Sequence, residues 1–208
     1  MNINRLTLGM VSTNCYIISN PNTKEAIVFD PADNASDIIQ FIKKEELTLV
    51  GILLTHGHFD HILAVRELAN ECKVSIYAGE HEKDLLEDPY MNCSLTMGGK
   101  SFTVQADTWL MDKEIINLAG FDIEVIHTPG HTGGGVCYLF SKEGVLVSGD
   151  TLFEESIGRA DLPTGNQQVL LDTIKNKLFV LDDHIMVLPG HSDTTTIGHE
   201  KQNNPYIG

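Results

Sequence analysis

The sequence predicts an α/β protein with at least two sheets. Short apolar, β-branched runs recur along the chain, amphipathic helical patterns lie between them, and four of the runs end in the same unusual way. The runs Cys15–Ser19, Ala26–Asp30, Leu49–Thr55 and Val74–Ala78 are the first strands, and Phe121–Thr128, Val136–Phe140, Gly144–Gly149 and Ile185–Leu188 the later ones. In the first helical stretch, 34–47, Ile38, Ile39, Phe41 and Ile42 share one side and charges the other. A second helix is expected over 60–72, with Asp60 as its N-cap, a third over 167–181, and a fourth over 196–203, stopping just before Pro205. No low-complexity or strongly charged stretch divides the 208 residues, so residues 1–208 read as one domain.

Composition narrows the function. The formal net charge is −15, from 29 acidic and 14 basic residues. An acidic surface repels phosphate backbones and anionic lipid, which disfavours nucleic acid and membranes as partners. No apolar run approaches the roughly 20 residues that a bilayer requires. The start, Met1-Asn2-Ile3-Asn4-Arg5, lacks the pattern of a signal peptide, so a cytoplasmic location is expected. Cys15, Cys72, Cys93 and Cys137 show no CxxC spacing and read as free thiols in a reducing compartment.

Four apolar runs end in a Gly followed at once by a residue able to bind metal: Gly57-His58, Gly130-His131, Gly149-Asp150 and Gly190-His191. Gly lets the backbone turn sharply, and the next side chain projects from the strand end into a shared mouth. The densest cluster is Thr55-His56-Gly57-His58-Phe59-Asp60-His61. His56 and His58, two apart in extended chain, point to one side, while Asp60 and His61 at a helix start point to a neighbouring position. One segment can therefore feed two metal ions. Imidazole and carboxylate ligands suit zinc, with iron or manganese as alternatives, and three protein ligands with one open place is the catalytic arrangement. His56, His58 and His131 form one expected site, Asp60, His61 and His191 the other, and Asp150 bridges them. His81, His127, His184 and His199 read as ordinary histidines, with His127 in a supporting role beside the site.

This set, His56-x-His58-x-Asp60-His61 with His131, Asp150 and His191, resembles the motif set of the metallo-β-lactamase fold superfamily. The resemblance covers almost the whole chain and implies a four-layer αβ/βα sandwich with the site along one edge. Within the superfamily, Gly149-Asp150-Thr151-Leu152-Phe153, the stretch Ser156-Ile157-Gly158-Arg159-Ala160-Asp161-Leu162-Pro163, and Leu188-Pro189-Gly190-His191 are similar to small glyoxalase II-like (hydroxyacylglutathione hydrolase-like) enzymes. So is the ending 195–201 with Asn204-Pro205. Glyoxalase II enzymes carry a further helical domain that helps bind glutathione, whereas 17 residues follow His191 here.

The expected chemistry is hydrolysis. Two metals roughly 3.5–4 Å apart can share a hydroxide, because metal binding lowers the pKa of water to about 7, and one metal polarises the acyl carbonyl. Asp60 and Asp150 would orient the attacking group. A thioester fits better than an amide, because a thiol of pKa about 8.5 leaves without help from a strong acid. The leading expectation is a dinuclear thioesterase acting on S-lactoylglutathione or a related small-molecule thioester. Its alternatives are a persulfide dioxygenase with one iron and a lactone or lactam hydrolase. A flavodiiron-like module is disfavoured because its pattern has Glu where His58 stands, and a nuclease because no basic patch is present. Arg159 is a candidate for binding substrate, although pairing with Asp161 is the simpler role. The substrate pocket is expected in the loops around 152–163 and 91–99 and in the C-terminal tail.

Overall fold

The computed structural model describes residues 1–207. Its first half forms a six-stranded sheet from β1 (Asn2–Leu8), β2 (Thr13–Ser19), β3 (Glu25–Phe29), β4 (Thr48–Leu53), β5 (Ile76–Gly79) and β6 (Thr108–Leu110), in that spatial order. The β1–β2 and β2–β3 pairs are antiparallel, and the other three are parallel. The parallel pairs need crossovers, supplied by α1 (Ala35–Lys44), α2 (Phe59–Ile62) with α3 (Val65–Cys72), and α4 (Lys83–Glu87) with the loop after it.

The second half forms another six-stranded sheet from β7 (Ile115–Leu118), β8 (Phe121–His127), β9 (Val136–Phe140), β10 (Val145–Gly149), β13 (Met186–Pro189) and β14 (Thr195–Thr196). The hairpin β11 (Leu152–Phe153) and β12 (Ser156–Ile157) stands apart from it. Helices α5 (Gln167–Thr173), continuing as a π-helical turn over Ile174–Leu178, and α6 (Ile197–Asn203) complete the chain.

Period-two alternation explains why these strands are apolar throughout. Tyr16, Ile18, Ile27 and Phe29 face Val125, Tyr138, Phe140 and Val147 in a core between the sheets. The alternate residues Cys15, Ile17, Ala26 and Val28 turn outward to Ile38, Ile42 and Leu68 of α1 and α3. On the other side Cys137, Leu139, Leu146 and Val187 pack against Leu170, Ile174, Leu178 and Ile197. The result is helix, sheet, sheet, helix: the expected four-layer sandwich.

Local chemistry sets the helices. Asp37 lies in the first turn of α1 and Lys43 and Lys44 in the last, which matches the helix dipole. Asn166 caps α5 by accepting from Val169 N–H at 3.1 Å, and Thr196 caps α6 by accepting from His199 N–H at 3.1 Å.

The structure corrects the helix expected over 60–72. It begins at Phe59, so Asp60 is not its N-cap, and it is broken between Ile62 and Val65. The Ala64 N–H donates to Pro31 O at 3.0 Å, which draws the break toward the loop after β3. β1, β6, β7, β11, β12 and β14 carry no separate sequence signal, being short, at sheet edges or mixed in polarity. No described helix is long and apolar enough to cross a membrane.

Candidate metal centre

The seven metal-binding candidates meet where the two sheets end together. The segment after β4 supplies His56, His58, Asp60 and His61. From the other sheet, His131 follows β8, Asp150 follows β10 and His191 follows β13. Two tyrosines tie the strand ends in place. Tyr138 Oη donates to Leu54 O at 2.8 Å, and Tyr16 Oη donates to Pro189 O at 2.9 Å. Asn14 adds Nδ2 bonds to Pro189 O at 3.0 Å and Ser192 O at 2.9 Å, on either side of His191.

His56, His58 and His131 form one buried group able to hold an ion. His131 Nε2 lies 2.8 Å from His58 Nδ1 and 3.2 Å from His56 Nε2. Ligands bonded tetrahedrally to zinc at about 2.0–2.1 Å stand roughly 3.3 Å apart, so these nitrogens are nearly at ligand spacing. Asp60, His61 and His191 form a second group. Asp60 Oδ2 lies 3.3 Å from His191 Nε2 and 3.7 Å from His61 Nε2.

Asp150 stands between the groups. Its Oδ1 is 3.4 Å from His61 Nε2, and its Oδ2 is 3.6 Å from His131 Nε2 and 3.5 Å from His191 Nε2. His61 Nε2 and Asp150 Oδ1 are buried without a hydrogen-bond partner, as is His58 Nε2. Buried polar atoms normally find partners, so facing orphans mark a place for an ion. The donor set of five imidazoles and two carboxylates also suits zinc, iron or manganese.

Electrostatics support the same picture. Burial first, and then the neighbouring imidazoles of His61 and His131, hold His56 well below the usual histidine range. Burial likewise lowers His58 and His131. These rings are neutral, the form in which histidine binds metal. In the second group burial is outweighed: Asp150 and Asp60 hold His61 well above the usual range, and His191 is also raised. The same imidazoles pull both carboxyls below theirs against the effect of burial.

Sequence reasoning missed the shell that aims these rings. Asp30, just after β3, accepts Thr55 N–H at 2.8 Å, Thr55 Oγ1–H at 2.6 Å and His61 Nδ1–H at 3.0 Å. Thr55 Oγ1 also lies 3.1 Å from His56 Nδ1 and accepts its proton. One carboxylate thus fixes His61 directly and His56 through a hydroxyl. Although Asp30 lies close enough to His56 and His61 to be a ligand, these three donors make it an orienting group. An acid ending an apolar strand was the signal that could have found it. His131 Nδ1–H donates to Arg159 O at 2.7 Å, and Thr13 Oγ1 donates to Asp60 Oδ2 at 3.1 Å. Glu82, fully buried, accepts Gly57 N–H at 2.9 Å, Gly134 N–H at 2.9 Å and Thr132 Oγ1–H at 3.1 Å. It braces both ligand-bearing loops, and burial pushes its carboxyl up to about 7.

Of the strand-end glycines, Gly149 adopts φ +50°, and a Cβ there would collide with Thr55. A Cβ at Gly190 would strike Asp150 Oδ1 and lie 2.7 Å from His61 Cε1. These residues therefore let the ligands converge. Of the remaining histidines, His127 supports the loop after His131 through Gly133 O at 3.0 Å.

A cavity of about 360 Å³ opens over the ligands. Phe153, Ile157, Arg159 and Leu162 line it from one loop, and Cys93 and Met97 from the other, as expected. The C-terminal tail is not in the lining; Val11, in the β1–β2 turn, is. The Arg159 guanidinium is held bidentately by Asp161 at 2.7 Å for both bonds. The four cysteines are free thiols.

With this geometry in view, comparison with known proteins places the chain. A family model described as the metallo-beta-lactamase superfamily matches residues 8–191. The chain is 36% identical to a probable metallo-hydrolase, YqgX, of Bacillus subtilis (strain 168), over 98% of this chain and 96% of that one. It is also 36% identical to hydroxyacylglutathione hydrolase GloC of Haemophilus influenzae (strain ATCC 51907 / DSM 11121 / KW20 / Rd), over 100% of this chain and 98% of that one. Among solved structures, the BLEG-1 B3 metallo-beta-lactamase superposes with a TM-score of 0.95 at 41% identity, covering 99% of each chain. The chain belongs to the metallo-beta-lactamase superfamily and is a hydrolase-type enzyme of it.

Proposed function

We propose that the protein is a dinuclear-metal hydrolase acting on thioesters, with S-lactoylglutathione or a related thioester as substrate. The observation that carries this reading is the position of Asp150, whose two oxygens face members of both ligand groups on the floor of an open cavity. His56, His58 and His131 would hold one divalent ion, Asp60, His61 and His191 the second, and Asp150 would bridge. Zinc fits the donor set best, with iron or manganese as alternatives. When bound, such ions supply Lewis acidity and lower the pKa of water to about 7.

The chain's own groups do the rest. Asp60 and Asp150 accept hydrogen bonds from the attacking water and fix its direction toward the acyl carbon. Asp30, through His61 and Thr55, keeps the rings aimed. Outside the histidines that would hold metal, no lining group stands ready to protonate an amine. Asp60 and Asp150 are held ionised, Arg159 is paired with Asp161, and burial raises the Cys93 thiol. A thiolate needs no such donor. The similarity to GloC supports the same substrate class.

Lactam hydrolysis is the second reading, favoured by the 41% identity to BLEG-1. The test is kcat/KM for S-lactoylglutathione and for a β-lactam, on protein whose metals have been quantified. A thioester value above about 10⁴ M⁻¹s⁻¹, in the usual enzyme range, supports thioester hydrolysis. Turnover of the lactam alone replaces it. A single iron per chain with oxygen consumption would point instead to a dioxygenase.

A further inference from the structure

The lining of the cavity differs in character from its floor. Above the histidines and carboxylates the walls are Val11, Phe59, Met97, Phe153, Ile157 and Leu162. They come from separate segments: the β1–β2 turn, the start of α2, the 91–99 loop and the loop carrying β11 and β12. The apolar character continues outward. Met10 is 77% exposed, Val11 44%, Leu95 38% and Met97 48%, all on the two loops that supply Val11 and Met97. Large apolar side chains left in water around a cavity mark a surface that an apolar ligand covers.

Charge points the same way. Among the described residues Arg159 is the only Lys or Arg in the lining, and its Nε–Nη2 edge is taken by Asp161, with both bonds at 2.7 Å. That carboxylate offsets its charge, so the lining presents no unpaired Lys or Arg to a carboxylate on the part of a substrate that fills the cavity.

Resting on the thioesterase reading, we propose that the cavity selects thioesters whose acyl group is an uncharged, apolar chain several carbons long. The short hydroxyacyl group of S-lactoylglutathione leaves these walls unused. In the reaction, water's oxygen bonds to the acyl carbon, the C–S bond breaks, and the sulfur leaves with the bonding pair. One proton of the water ends on the thiol and the other in solvent, giving a carboxylate. No further reactant is needed.

The test compares kcat/KM for S-hexanoyl-N-acetylcysteamine, S-acetyl-N-acetylcysteamine and S-lactoylglutathione on the metal-loaded protein. The two N-acetylcysteamine thioesters share an uncharged leaving group and differ only in acyl length. The hexanoyl ester is expected to exceed the acetyl ester by at least about tenfold, since even one methylene in an apolar pocket is worth roughly that much. It should also exceed S-lactoylglutathione. Met97→Asp, at a position 48% exposed, should bring the hexanoyl-to-acetyl ratio toward one. Equal rates for the two esters, or faster turnover of S-lactoylglutathione, overturn the apolar-acyl proposal and leave the thioesterase standing. A ratio unchanged in Met97→Asp removes the rim from it. If no thioester turns over with both metal sites filled, the underlying thioesterase reading fails as well.

Discussion

At the scale of single residues, two acids divide the work. Asp150 faces both ligand groups, so its loss should be felt by both. Asp150→Ala is expected to lower bound metal from two ions per chain to one or fewer, measured by elemental analysis, and to reduce kcat/KM by at least about 10²-fold. Retention of two ions would remove the bridging role. Asp30 touches no open position but receives three protons, including the His61 Nδ1–H. Asp30→Asn puts an amide where one of those donors points, loosening His61 and the Thr55–His56 relay. The expected result is a 10–100-fold weaker metal affinity, the usual effect of losing such a partner. Circular dichroism should show the fold unchanged. Unaltered affinity would mean that packing alone sets the rings.

At the scale of elements, what holds the site is the pairing of loops rather than any one helix. Glu82, at the end of a 3₁₀ turn before α4, accepts from the residue between His56 and His58 and from two residues just beyond His131. Its carboxyl titrates near 7 in the fold and near the ordinary 4.5 when unfolded, because burial penalises the charge. A raised acid favours folding below its unfolded pKa, where both states are protonated. That advantage is lost as pH rises from about 4.5 through about 7. The difference corresponds to about 3 kcal/mol at most. Glu82→Gln cannot ionise, so urea unfolding at pH 5 and pH 8 should show a smaller fall in stability across that window than the parent chain. An identical fall would mean that Glu82 stays ionised throughout. Much of the ligand scaffold was legible in the sequence, because Gly-His and Gly-Asp at strand ends are local patterns. Asp30 and Glu82 were not, since a lone acid gains its meaning only from donors brought in by the fold. The break between α2 and α3 was hidden for a similar reason. Leu63 and Ala64 are good helix formers, yet Ala64 N–H bonds to Pro31 O across the tertiary structure. β1 stayed invisible as an edge strand, mostly open to solvent, whose few apolar residues, Ile3, Leu6 and Leu8, reach two different cores.

At the scale of the whole molecule, the candidate ligands come from both sheets. His56, His58, Asp60 and His61 follow β4 of one, while His131, Asp150 and His191 follow β8, β10 and β13 of the other. Bound ions would therefore join the two halves of the sandwich at an edge also tied by Tyr138–Leu54, Tyr16–Pro189, the Asn14 bonds to Pro189 and Ser192, and the Glu82 brace. Imidazoles and carboxylates are packed together at this edge, and His61 Nε2 faces Asp150 Oδ1 with no hydrogen bond. Ions that bind only the folded chain stabilise it by about 4 kcal/mol each when present at a thousand times their Kd. For a chain of this size each kcal/mol moves Tm by roughly 2–4 °C. Removing the metals with a chelator should therefore lower Tm by on the order of 10 °C or more, read by calorimetry, and adding zinc back should restore it. The interior between the sheets is apolar and does not depend on metal, so the chelated protein should keep its far-ultraviolet spectrum. A Tm indifferent to chelation, in protein shown to have lost its ions, would mean that the two sheets are locked by that core alone. The metals would then be passengers on a finished fold, and the Asp30 and Glu82 shell would serve geometry rather than stability.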